Sequence, residues 1–90
     1  MAEIGRETPA LDIDVARHIV RTAFRSGREL ESLLSMLKAH CKPDEYNGYA
    51  KAIAAAVASI HLEVINRVTA DFPALEAEIE AQINKHGRYL

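Results

Sequence analysis

The segment from Glu45 to about Ala70 holds the longest sustained helical period in the chain, and it limits what the rest can become. Projected at about 100° per residue, Tyr46, Tyr49, Ile53, Val57, Ile60, Val64 and Val68 fall on one stripe. Their alternating steps of three and four are those of a seam that packs on other helices. Ala54, Ala58 and Ile65 widen the stripe on one side. The opposite side carries Lys51, Ala52, Ala55, Ser59, Leu62, Glu63 and Asn66, and is small rather than strongly charged. Alanine is the best helix former, so this helix is intrinsically favoured. Small side chains also let a second helix come close. The lean face, with Ala52, Ala55, Ser59 and Leu62, is therefore a candidate surface for a partner, first of all a second subunit. A bare Ala-rich surface is the plain alternative, since alanine costs little to expose.

Two starts are open to this helix. Pro43 can be its first residue, with Asp44 and Glu45 favouring the positive end of the helix dipole. Asn47-Gly48 can instead form a turn. The earlier start is preferred because Tyr46 fits the stripe; Gly48 then sits inside the helix at a cost of about 1 kcal/mol relative to alanine.

The flanking segments read as shorter amphipathic helices. Residues 1–10 are polar and expected to fray. Asp12 or Asp14 can cap a first helix running to about Arg25, with Ile13, Ala16, Ile19, Val20, Ala23 and Phe24 on one face. Ser26-Gly27 interrupts, and Ser26 with Glu29 has the spacing of a capping box that would open a second helix. Leu30, Leu33, Leu34, Leu37 and Cys41 form its narrow stripe, which Lys42-Pro43 ends. The central helix should break or kink at Asp71-Phe72-Pro73, with Asp71 able to cap a fourth; an uninterrupted long helix through Pro73 is the competing reading. That helix carries Phe72, Leu75, Ile79 and Ile83, and stops at Gly87. Connections this short favour antiparallel neighbours.

Size and charge then exclude several classes. Ninety residues point to one domain spanning 1–90. A chain this short buries only ~60–65% of its unfolded surface, so association would help it. A formal net charge of −2 offers no bulk attraction to nucleic acid. The lone Cys41 rules out an internal disulfide framework and suits a reducing compartment. No secretory leader is read at the N-terminus, and the longest apolar run, Ala52 to Ile60, is far short of a membrane span. The cytoplasm is the expected location.

Two features could carry chemistry. Arg17, Arg21, Arg25 and Arg28 share a narrow arc if the first helix is projected through Gly27. Guanidinium forks in a row can grip phosphates or the carboxylates of an acidic protein partner. The simpler outcome is pairing with this chain's own acids, since the fourth helix carries Glu76, Glu78 and Glu80. Ala23 and Gly27 have the spacing found around a helix-turn-helix turn, but Thr22, Ser26 and Arg28 stand where that motif needs apolar residues. The second feature is histidine. His61 lies on the apolar side of the central helix and His86 on that of the fourth, so the two could meet as ligands or as buried polar groups. Two imidazoles alone make a poor metal site, and neither Glu-x-x-His nor paired cysteines occur. Cys41 and His40 are adjacent on one helix and diverge by about 100°, so they cannot form a dyad; Cys41 reads as a buried structural thiol. Nucleotide-binding and nucleophile-elbow motifs are absent.

The expectation is thus an all-α domain: an antiparallel bundle of three to four helices around a long Ala-rich central helix. Its expected role is a non-catalytic interaction or assembly module acting as a homodimer, with no cofactor and no bound metal. The competing readings are a regulatory binder of nucleic acid or another polyanion through the arginine arc and, third, a small enzyme or ligand-binding bundle around His61, which an apolar cavity beside an exposed His61 would favour.

Overall fold

The computed structural model describes residues 11–90; the polar stretch 1–10, expected to fray, lies outside them. The described residues are all-α. Helix α1 spans Ile13–Glu31, α2 Leu33–His40 and α3 Pro43–Ser59; a π-helical segment at Ile60–Ile65 leads into α4, Asn66–Asp71, and α5 spans Pro73–His86. Helix α3, the π segment and α4 form one uninterrupted helix of 29 residues.

Asp12 caps α1, its Oδ1 accepting from the Val15 N–H at 2.9 Å. The expected interruption at Ser26-Gly27 does not occur. Helix α1 runs straight through it and breaks one turn later at Ser32, whose hydroxyl donates to the Glu29 carbonyl at 2.6 Å. Gly27 is buried, and a Cβ placed there would lie 3.7 Å from Val57 Cγ1. There α1 packs against α3 at ordinary contact distance, and that packing outweighs the weak helix propensity of glycine. The single residue Ser32 separates α1 from α2, so both lie on one arm of a hairpin. The two-residue link Cys41–Lys42 turns the chain back, and α3, the π segment and α4 return along that arm.

Pro43 does open α3, and Glu45 Oε1 accepts from the Lys42 N–H at 2.9 Å. Gly48 lies inside this helix with open space around it. The π segment then changes the register. The half-buried positions of α3 step Tyr46, Ala50, Ile53, Val57, Ile60, after which an α-helix would bury Val64. Hydrogen bonds of the i→i+5 type, such as Asn66 N–H to the His61 carbonyl, insert one extra residue. Ile65 is consequently buried at 4% exposure, while Val64 stays 36% exposed. Ala54 and Ala58, expected to widen the stripe, are exposed.

At Phe72 the backbone leaves the helical region, and Pro73 starts α5. Asp71 does not cap α5; it lies 3.9 Å from Arg67 instead. Gly87 ends α5 at φ 78°, the left-handed conformation that glycine adopts without a Cβ penalty. The tail Arg88–Leu90 folds back and buries Tyr89 at 1% exposure.

The core comprises Ala16, Val20, Ala23, Ile65, Val68, Leu75, Ile79 and Tyr89, all at the end of the hairpin where α5 packs. Helices α2 and α3 bury no residue at all. The expected apolar stripe of α2 is half-buried at best, and Cys41 is half-exposed rather than buried. A compact chain of this length would have a radius of gyration of about 12 Å, against the observed 16.9 Å, with extents of 53 × 37 × 16 Å.

Candidate functional site

The four arginines of the arc do lie on one continuous helix, because α1 passes through Gly27. Three of them are engaged within the chain. Arg17 Nε donates to Glu78 Oε2 at 2.9 Å, and its Nη1 donates to Asp14 Oδ1 at 2.9 Å. Arg21 Nε donates to the Leu90 carbonyl at 2.9 Å, and Arg28 Nη1 to the Tyr89 carbonyl at 3.4 Å. Arg25 is exposed. The tail-binding role of Arg21 and Arg28 depends on the chain reversal at Gly87, which no local spacing announces.

Glu78 is the hub of this cluster. The Arg17 guanidinium bonded to it holds its carboxyl below the usual carboxylate range, opposed by partial desolvation and helped by the Tyr89 hydroxyl, which donates to Oε2 at 2.8 Å. Burial, and then that same hydrogen bond, push the Tyr89 phenol up to about 12. The Arg17 pKa is raised by its bond to Glu78. Tyr89 also packs on Phe24, ring centroids 5.5 Å apart. This arrangement is a clamp that fastens the tail and α5 to α1. Arg17 Nε and Nη2, Arg21 Nε and one Arg28 nitrogen are directed at acceptors of the same chain.

His61 and His86 line different grooves. His61 is exposed in the π segment and meets the Phe24 ring edge-on, centroids 6.2 Å apart and planes at 84°. It borders a cavity of about 200 Å³ whose walls include Phe24, Gly27, Val57 and Ile65, with Arg28 and Glu31 at the rim. His86 is exposed beside Arg21, Gln82 and Leu90 in a separate shallow groove. Among the described residues no three of His, Cys, Asp and Glu converge as a metal site.

Ala52, Ala55, Ser59 and Leu62 are all exposed, Leu62 at 64%. The bulky side of the hairpin is scarcely better covered: Tyr49 is 56% exposed and Met36 49%. The long helix also differs from the expectation of a short apolar run. By length and composition its 29 residues are enough to cross a membrane, with an 18-residue stretch of mean hydropathy 1.3. Comparison with protein families, curated proteins and solved structures finds no match.

Proposed function

We propose that this protein is a non-catalytic assembly module that works as a homodimer, whose completed core is a helical bundle. One observation carries this reading: α2 and α3 bury no residue although Leu33, Leu34, Met36, Leu37, Ile53 and Val57 lie on them. An isolated pair of helices cannot enclose a core, and stable domains pack two layers around one. Large apolar side chains left at a water boundary are the mark of a contact surface. The internal use of Arg17, Arg21 and Arg28 favours this reading over polyanion binding. Helix α3 runs beside α1, with its Arg17, Arg21, Arg25, Arg28, Glu29 and Glu31, and a membrane would have to admit both arms. Sedimentation velocity at micromolar concentration is expected to show a dimer of about 20 kDa, twice the 10.0 kDa chain. A sharp monomer would refute the proposal.

A further inference from the structure

Phe24 of α1 and His61 of the π segment, packed edge-on, stand between two cavities. Phe24, His61 and Ile65 wall both of them. The cavity toward the hairpin tip holds about 200 Å³ and is completed by Gly27, Val57 and Ile60, with Arg28 and Glu31 at its rim. The cavity toward α5 holds about 260 Å³ and is bounded there by Ile79 and Ile83.

The π segment builds the first of these. In a regular α-helix Ile65 would be turned about 80° away from Val57, eight residues earlier. The bond from the Asn66 N–H to the His61 carbonyl takes in one extra residue, and Val57, His61 and Ile65 then line a single wall. Such π insertions are rare in helices and gather at functional sites. The rim supplies a polar group. Arg28 is half-buried, and its Nη1 reaches the Tyr89 carbonyl only at 3.4 Å, long for an N–H···O bond. Among the described residues no carboxylate lies within ion-pair distance of Arg28, whereas Arg17 has both Glu78 and Asp14. A guanidinium carries five N–H donors, so most of this fork is left without an acceptor among the described residues. Glu31 shares the rim but is exposed, so water and salt screen its charge.

We infer that the cavity beside Arg28 is a binding site for a small aromatic carboxylate, with the ring among Phe24, Val57 and Ile65 and the carboxylate on the Arg28 fork. An apolar pocket with one convergent charged group is the usual form of a small-molecule site, and guanidinium and carboxylate match as paired forks. Volume sets the size of the ligand. A dry apolar cavity of about 150 Å³ takes up one benzene ring, so about 200 Å³ admits one ring and a short acidic arm. The Phe24–His61 pair closes the inner end, and a two-ring acid would have to displace it to enter the second cavity. The site grips one carboxylate rather than a polyanion, and it stands independently of the homodimer reading.

The test titrates the full chain with phenylacetate, followed by calorimetry and by NMR shifts. The expected dissociation constant is on the order of 1 mM or tighter, ordinary efficiency for a ligand of about ten heavy atoms. The largest shifts are expected at Gly27, His61 and Ile65. Phenylacetamide, of the same shape without the charge, and acetate, without the ring, are each expected to bind at least about tenfold more weakly. Arg28→Gln should weaken phenylacetate by about tenfold or more, while Arg25→Gln, at an exposed arginine of the same arc, should stay within about twofold. Circular dichroism checks that both variants keep their helices, and the comparison of acid with amide on the unaltered protein needs no variant. Absence of saturation at about tenfold the expected constant, equal affinity for the amide, shifts centred away from the cavity, or an unchanged affinity in a folded Arg28→Gln would each overturn the inference.

Discussion

The Tyr89 hydroxyl and the Arg17 guanidinium converge on one carboxylate, that of Glu78: Tyr89 donates to Oε2 at 2.8 Å and Arg17 Nε to the same oxygen at 2.9 Å. This fastening joins the first and last helices through residues 61 positions apart. Glu78→Gln removes the ionic part and leaves Arg17 its bond to Asp14. The pair is partly solvated, so the expected loss is about 1 kcal/mol, at the low end for charge-assisted bonds. Urea unfolding of the variant beside wild type measures it, and a loss above about 3 kcal/mol would mean that the cluster is more buried than described.

Tyr89 separates the packing contribution from the hydrogen bond. Tyr89→Ala is expected to cost about 3–5 kcal/mol, as for truncation of a buried aromatic ring. Tyr89→Phe keeps the contact with Phe24 and is expected to cost about 1 kcal/mol. Thermal unfolding of the two variants decides whether the ring or the hydroxyl matters more.

The same pair shapes the pH dependence. Glu78 has a lowered folded pKa, so its contribution is present above the ordinary carboxylate pKa and is lost as pH falls through the lower folded value. Tyr89 has a raised folded pKa, so its contribution is intact below the ordinary value near 10 and is lost as pH rises from there to about 12. Unfolding free energies from pH 9 to pH 12 are expected to fall more steeply for wild type than for Tyr89→Phe. Parallel curves would show that the phenol does not titrate differently on folding.

Glycine substitutions probe the hairpin. At Gly48 the space is open, so Gly48→Ala is expected to stabilise by about 1 kcal/mol through helix propensity alone. At Gly27 an added Cβ makes an ordinary contact with Val57, so Gly27→Ala should be neutral or stabilising by up to about 1 kcal/mol. Gly27→Leu would force the arms apart and is expected to destabilise by about 1–3 kcal/mol, the range for overpacking. Chemical denaturation of the three variants gives the ranking.

The π segment predicts an asymmetry between neighbours. Ile65→Ala should cost about 2–4 kcal/mol as a core truncation. Val64→Ala should change the unfolding of dilute protein by less than about 1 kcal/mol, because Val64 stays 36% exposed. Equal losses at the two positions in dilute protein would show that the helix keeps α-register through this region.

Much of the fold is local, and local signals were legible in the residue order. The all-α class, a cap at Asp12 or Asp14, the start at Pro43, a break or kink before Pro73 and the stop at Gly87 each follow from local effects of side chains on their own backbone, and the structure selects Asp12 and the break. Periodicity marked Ile13 to Phe24 as helical, and Glu78 stood among the acids expected to answer the arginines. What spacing could not supply was anything set by a neighbour distant in the chain. Ser26-Gly27 looks like a stop in isolation, and only the packing of this face of α1 against Val57 and its neighbours carries the helix through it. The one-residue register change at Ile60–Ile65 moves burial from Val64 to Ile65, and a uniform 3.6-residue period cannot anticipate it. Tyr89 belongs to no periodic stripe, yet it becomes the most deeply set ring because the chain reverses after Gly87 onto Phe24 and Glu78. The residue order by itself determined where helices form, since that depends on each residue and its near neighbours. The tertiary structure alone decided which side of each helix is covered, because burial depends on what other segments bring to that side.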